Sequence, residues 1–136
     1  MTQQVTWNDD LLVNVSEIDN DHRKLFDLMD GIFSSATHGA AAVNTAIGQL
    51  ATYTREHFSR EQASMARSSY PLLGDHTYEH EHLVFQLESL INRLMVEGPD
   101  AVDAELAQFL MSWLGDHIVA WDMKYAAYLR ETGHTG

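Results

Sequence analysis

The chain has 136 residues, 45% of them hydrophobic, no cysteine, and a formal net charge of −12 with histidines neutral. That length suits one domain with one core; the missing thiols exclude disulfides, thiolate zinc sites and iron–sulfur clusters, and the acidic balance argues against nucleic acid or an anionic membrane surface as partner. No apolar run is long enough to span a bilayer, and MTQQVTWNDD lacks a basic stretch followed by an apolar one, so a cytoplasmic protein without membrane insertion is expected.

Residues 1–18 read as an irregular arm. Trp7, Leu11, Leu12, Val13, Val15 and Ile18 are too apolar for a loose tail, so the arm is expected to pack across the domain. Ser16 or Asp19 is suited to cap the first helix. That helix is predicted over about 19–37, with Leu25, Phe26, Met29, Ile32, Phe33 and Ala36 at amphipathic spacing. His22 lies on the same stripe, and Gly39 suits the end of the helix.

The second helix is predicted over about 41–67. Val43, Ile47, Leu50, Thr54, His57, Glu61 and Met65 step along one face by fours and threes. SSYP ends it, because the residue before proline disfavours the α region. The third helix, about 73–97, carries His76, His80, Leu83, Leu87, Leu90 or Ile91, and Leu94 on one face. Gly98-Pro99-Asp100 breaks it. The fourth, about 101–130, places Val102, Leu106, Phe109, Leu110, Trp113, Leu114 and His117 together. Asp122 follows His117 by five residues. On an ideal α-helix that spacing turns the two side chains apart by about 140°. For both to face one site, the backbone must depart from α geometry, and a one-residue bulge does this.

Four helices on short connections predict an all-α, up-down-up-down antiparallel four-helix bundle. Helix lengths then bring the polar residues to one level. His22 and His57 each lie roughly 23 Å from the first turn at about 1.5 Å per residue. The third and fourth helices match within about a turn. His22, His57, Glu61, His76, His80, His117 and Asp122 are therefore the candidate metal ligands. A lone inward histidine is ordinarily a satisfied core residue. An apolar core does not absorb five imidazoles and two carboxylates without partners, and metal is the natural partner. This set exceeds the needs of one tetrahedral zinc and suits two octahedral ions. Imidazole accepts Fe, Zn, Cu and Ni, so ligand type leaves the metal open. His38, His82 and His134 are expected in solvent.

The pattern Ile18-Asp19-x2-His22, His57-x3-Glu61 with Met65, Tyr70-Pro71 before His76-x3-His80, and Trp113-Leu114-x2-His117-Ile118-x3-Asp122-x2-Tyr125 resembles the hemerythrin family in its single-domain bacterial form. The resemblance covers nearly the whole chain, Trp7 included. One departure is Asp21, where Gln is common in relatives; it is not a ligand position. The resemblance implies a non-haem centre of two Fe ions, oxo/hydroxo bridged, that binds O2 reversibly. Carried over by position, His76, His80 and His117 hold one iron, His22 and His57 the other, and Glu61 and Asp122 bridge them. Counting those ligands leaves the open position on the His22/His57 iron. Leu114 is then expected to cap the O2 pocket, with Trp113 in its wall.

The expected role is oxygen carriage, storage or supply to an oxygen-consuming enzyme by a monomer, without catalysis. The rivals are a di-iron enzyme acting on peroxide or NO, and an O2 or redox sensor working through a separate partner. Ferritin-like oxidases show Glu-x-x-His pairs on their helices. None of the metal-face pairs here has that form.

Overall fold

The computed structural model describes residues 7–133. The described residues are helical with no strand. Helix α1 spans Ser16–Ser35, α2 Ala40–Arg67, α3 Leu73–Glu97, α4 Ala104–His117 and α5 Met123–Thr132. A π-helical turn over Ile118–Asp122 joins α4 to α5. The pair therefore forms one continuous fourth rod of an up-down-up-down bundle.

The buried stripes follow the sequence pattern. Leu25, Phe26, Met29, Ile32, Val43, Ile47, Leu50, Leu83, Leu87, Leu94, Leu106 and Leu110 are all buried in one apolar core. Each such side chain contributes about 1.5–3 kcal/mol by leaving water. Phe109 is the exception to the expected stripe of α4, with 38% of its surface exposed. It adjoins Leu110 in sequence and is turned about 100° from it, so Leu106, Ala107, Leu110, Trp113, Leu114 and His117 carry the buried face.

The arm crosses the bundle as its apolar content requires. Trp7 meets Phe26 edge-on at 5.6 Å between ring centres, and Leu11 and Val13 are buried. Residues 1–6 lie outside the described residues. Asn14 turns the chain at φ 66°. Neither Ser16 nor Asp19 caps α1; Val15 occupies that position without a side-chain bond. Asp19 instead reaches back and accepts the backbone N–H groups of Val13 (2.8 Å) and Asn14 (3.1 Å). Arg130 donates to the Val13 carbonyl at 2.7 Å, tying the arm to α5.

The α2–α3 turn is a Schellman motif built on serine. Ser69 takes φ 55°, the Tyr70 N–H reaches the Met65 carbonyl at 2.9 Å, and the Ser69 N–H reaches Ala66 at 3.2 Å. The buried side chains of Met65 and Tyr70 flank it, the hydrophobic pairing such turns favour. Tyr128 pins the turn by donating to the Ser68 carbonyl at 2.6 Å. At the other end Gly98 turns with φ 71° into a 3-10 turn over Gly98–Ala101, and Asp103 caps α4 by accepting from the Leu106 N–H at 2.9 Å.

Asp19→Ala leaves the two arm N–H groups without their acceptor. The expected loss is about 1–3 kcal/mol. In denaturant unfolding this appears as a lower midpoint at unchanged slope, with faster proteolytic cleavage before Ser16.

Candidate metal centre

Each rod delivers its candidate ligands from an inward stripe. His22 comes from α1, His57 and Glu61 from α2, and His76 and His80 from α3. The i, i+4 spacing puts each pair one turn apart on one face. The fourth rod supplies His117 at the end of α4 and Asp122 at the end of the π turn. The wider turn is the backbone departure that the five-residue spacing demands.

All seven side chains are buried and meet at one level. They form two groups that share both carboxylates: His76, His80 and His117 with Glu61 and Asp122, and His22 and His57 with the same two acids. The sharing is resolved by oxygen. Glu61 Oε1 faces His76 Nε2 (3.0 Å) and His80 Nε2 (3.2 Å), while its Oε2 faces His57 Nε2 (3.6 Å). Asp122 Oδ1 faces His76 Nε2 (3.0 Å) and His117 Nε2 (3.1 Å), while its Oδ2 faces His22 Nε2 (2.9 Å). A carboxylate with one oxygen toward each group is disposed to bridge two ions.

The donor set fits such ions on a second observation. His22 Nε2, His57 Nε2, His80 Nε2, His117 Nε2, both Glu61 oxygens and Asp122 Oδ2 are buried without a hydrogen-bond partner. They lie near one another but are misaligned for N–H···O bonds. Their lone pairs converge on shared points, an arrangement that stabilises cations.

Protons alone are a strained substitute. Burial by itself lowers the pKa of a histidine; at His117 the charge of Asp122, with Glu79, overrides this and pushes it up to about 10. His57 and His76 are also raised against their burial, His57 mainly through the Asp21 bond and His76 through Asp122 and Glu61. Burial dominates at His80, which is lowered. Burial would raise the two acids, yet the imidazoles around them hold Glu61 below, and Asp122 well below, the ordinary carboxylate range.

Three further functional residues escape a reading by inward stripe. Asp21 accepts His57 Nδ1–H at 2.8 Å, Gln62 faces His80 Nδ1 at 2.8 Å, and Glu79 faces His117 Nδ1 at 3.1 Å. Each is the sequence neighbour of a ligand on its own helix and serves a ligand on the next helix. That adjacency was the available signal: a residue one step from an inward position points about 100° aside, into the seam. Phe58 stacks on His80 at 3.9 Å, the rings 3° from parallel. Leu114 is buried one turn before His117, and Trp113 donates its indole N–H to the Leu83 carbonyl at 3.2 Å across the α3–α4 seam. His38 and His82 are exposed; His134 lies outside the described residues.

Fold and site together define a four-helix bundle with a buried histidine–carboxylate cation site. The model of the hemerythrin HHE cation-binding domain matches residues 13–129, and the chain belongs to that family. A bacteriohemerythrin of Stenotrophomonas maltophilia is 29% identical over 90% of this chain and 79% of its own length. A myohemerythrin of Riftia pachyptila is 29% identical over 90% of this chain and 92% of its own. A crystal structure of wild-type hemerythrin superposes with a TM-score of 0.77 at 26% identity, covering 90% of this chain and 95% of that one.

Metal loading at pH 7 is expected to expel protons. His117, with its pKa raised to about 10, holds a proton at neutral pH that Nε2 ligation must displace. Calorimetry of Fe(II) or Zn(II) binding in buffers of different ionisation enthalpy measures the release. Affinity should fall as acid protonates more imidazoles; binding without any pH dependence would exclude histidine ligation. Glu61→Ala or Asp122→Ala should abolish stable loading of a second ion, while His38→Ala and His82→Ala leave the metal content unchanged by elemental analysis.

Proposed function

We propose that this chain binds O2 reversibly at a centre of two iron ions, serving as carrier, store or supplier to an oxygen-consuming enzyme. The observation that carries the reading is the pair of imidazole groups sharing two carboxylates, with inward atoms that find no hydrogen-bond partner. The names of the relatives point the same way. In this reading His76, His80 and His117 would hold one ion and His22 and His57 the other, with Glu61 and Asp122 shared between them. Two ferrous ions held there would supply the electrons that O2 takes up on binding.

The chain's own residues favour binding over turnover. Five neutral imidazoles bring no charge, so the ligand set is less negative than a carboxylate-rich one and stabilises high oxidation states less. Each of the seven side chains is buried, which limits its contact with bulk water. On the two-histidine side the protein provides one donor fewer, so an ion held there would keep room for the gas. Leu114, buried beside His117, is assigned to cap that place, and Trp113 to brace its wall from the α3–α4 seam. A monomer in the cytoplasm belongs to the same proposal. No helix among the described residues is long and apolar enough to cross a membrane.

The experiment is an anaerobic reduction followed by O2 addition and O2 removal, watched by visible absorption, on protein carrying two irons per chain. Repeated colour and bleaching supports reversible binding. Irreversible bleaching, or turnover of peroxide or NO, would replace the reading with an enzyme.

Leu114→Ala should oxidise to the ferric form severalfold faster and admit azide more readily, while still binding two irons. Truncating this buried leucine costs about 2–5 kcal/mol of stability, so the comparison belongs at a temperature where both proteins are folded. Wild-type rates of oxidation and azide uptake in a two-iron Leu114→Ala protein would leave Leu114 as core alone.

A further inference from the structure

The outer partners of the ligand histidines differ between the two groups. In the three-histidine group, His80 faces the neutral amide of Gln62 and His117 faces Glu79. In the two-histidine group, His22 Nδ1 is buried without a hydrogen-bond partner, so the outer support falls on His57 alone. That support is Asp21, and both its oxygens are engaged. Oδ2 accepts His57 Nδ1–H at 2.8 Å; Oδ1 accepts the Tyr53 hydroxyl at 2.7 Å and Arg60 Nη2–H at 3.0 Å. The Arg60 guanidinium also lies 5.4 Å over the Tyr53 ring.

Three donors from one face of α2 therefore hold a single α1 carboxylate. With Oδ1 doubly bonded, the carboxylate is fixed against rotating away from His57. Asp21 also stands where a cleft of about 590 Å³ between α1 and α2 runs down to His57 and Glu61. It therefore keeps water from the outer nitrogen of the ligand.

A histidine that donates Nδ1–H to a carboxylate presents its Nε2 lone pair inward in one ring orientation and is a more basic ligand than one bonded to a neutral group. A more basic ligand stabilises the ferric ion more than the ferrous one. We propose that Asp21, clamped by Tyr53 and Arg60, is a positioning residue that orients His57 and lowers the reduction potential of the His22/His57 side of the centre. The inference rests on the two-iron reading. Its consequence is a bias of the gas-binding side toward giving up electrons, and with it a faster drift to the ferric form than a neutral partner at position 21 would allow.

The test compares wild type with Asp21→Asn, which keeps the size and an acceptor but removes the charge, and with Tyr53→Phe, which removes one clamp and leaves the Asp21–His57 bond. Spectroelectrochemistry of the two-iron proteins should show a higher midpoint potential in Asp21→Asn and a smaller change in Tyr53→Phe, which keeps the Asp21 charge. Iron should pass to a chelator roughly 10- to 100-fold faster from Asp21→Asn. In Zn(II)-loaded protein, the low-field Nδ1–H resonance of His57 should move upfield in Asp21→Asn. This last readout needs no iron and no O2. An unchanged or lower potential in a two-iron Asp21→Asn protein, or an unmoved His57 resonance with zinc, would overturn the proposal and leave the function reading intact. A wild-type chain that takes no second metal would overturn the function reading instead.

Discussion

The structure depends on the burial of seven polar side chains at one level of a helical bundle. His22, His76 and Asp122 are wholly inaccessible, and the other four are 1–3% exposed. Moving such groups out of water is costly unless each finds a partner. Here the partners are one another, and their convergent arrangement suits cations. Metal binding in such a site is also folding free energy, because the unfolded chain holds no comparable arrangement. The remainder of the bundle supports that cluster. The apolar stripes continue from the ligands toward the other end, where Met29, Ile32, Ile47, Leu50, Leu106 and Leu110 are sealed from water and contribute the hydrophobic stabilisation that offsets the polar level.

Order around the centre comes from a relation between adjacent rods. Asp21 of α1 supports His57 of α2, Gln62 of α2 supports His80 of α3, and Glu79 of α3 supports His117 of α4. In each case one residue faces the interior and its sequence neighbour faces the seam. The ligands of one helix are therefore oriented by the helix before it, so the site is rigid only once the bundle is assembled. The sequence of supports stops at the fourth rod: His22 Nδ1 has no hydrogen-bond partner. His76 Nδ1 is likewise without one, so each group has one histidine lacking outer support, and on the two-histidine side Asp21 carries that support by itself.

Local backbone geometry serves the same end. The π turn over Ile118–Asp122 returns Asp122 to the face of His117, which an unbroken α-helix would not do. Next to it, Tyr125 of α5 bonds the hydroxyls of Ser64 in α2 and of Ser68 at its C-cap, and Tyr128 holds the turn by the Ser68 and Ser69 carbonyls. The end of the bundle nearest the ligands is thus closed by hydrogen bonds and by the arm, and the far end by apolar packing.

Periodicity and spacing were enough to determine the bundle, the inward face of each helix and the seven residues that meet, because those follow from the pitch of a helix and the lengths of short connections. The five-residue step from His117 to Asp122 even required a bulge. Other features were decided only in three dimensions. Asp19 appeared suited to cap α1, but the arm's turn at Asn14 brought two backbone N–H groups within its reach, and it bonds those. Asp21 looked like a residue off the ligand face of no consequence. Packing of α1 on α2 set it between His57, Tyr53 and Arg60, residues more than thirty positions away. Spacing along one helix specifies which side chains share its face. The partner a side chain meets across a seam depends on the rotation and height of the neighbouring helix, and those are fixed only when all four rods pack together.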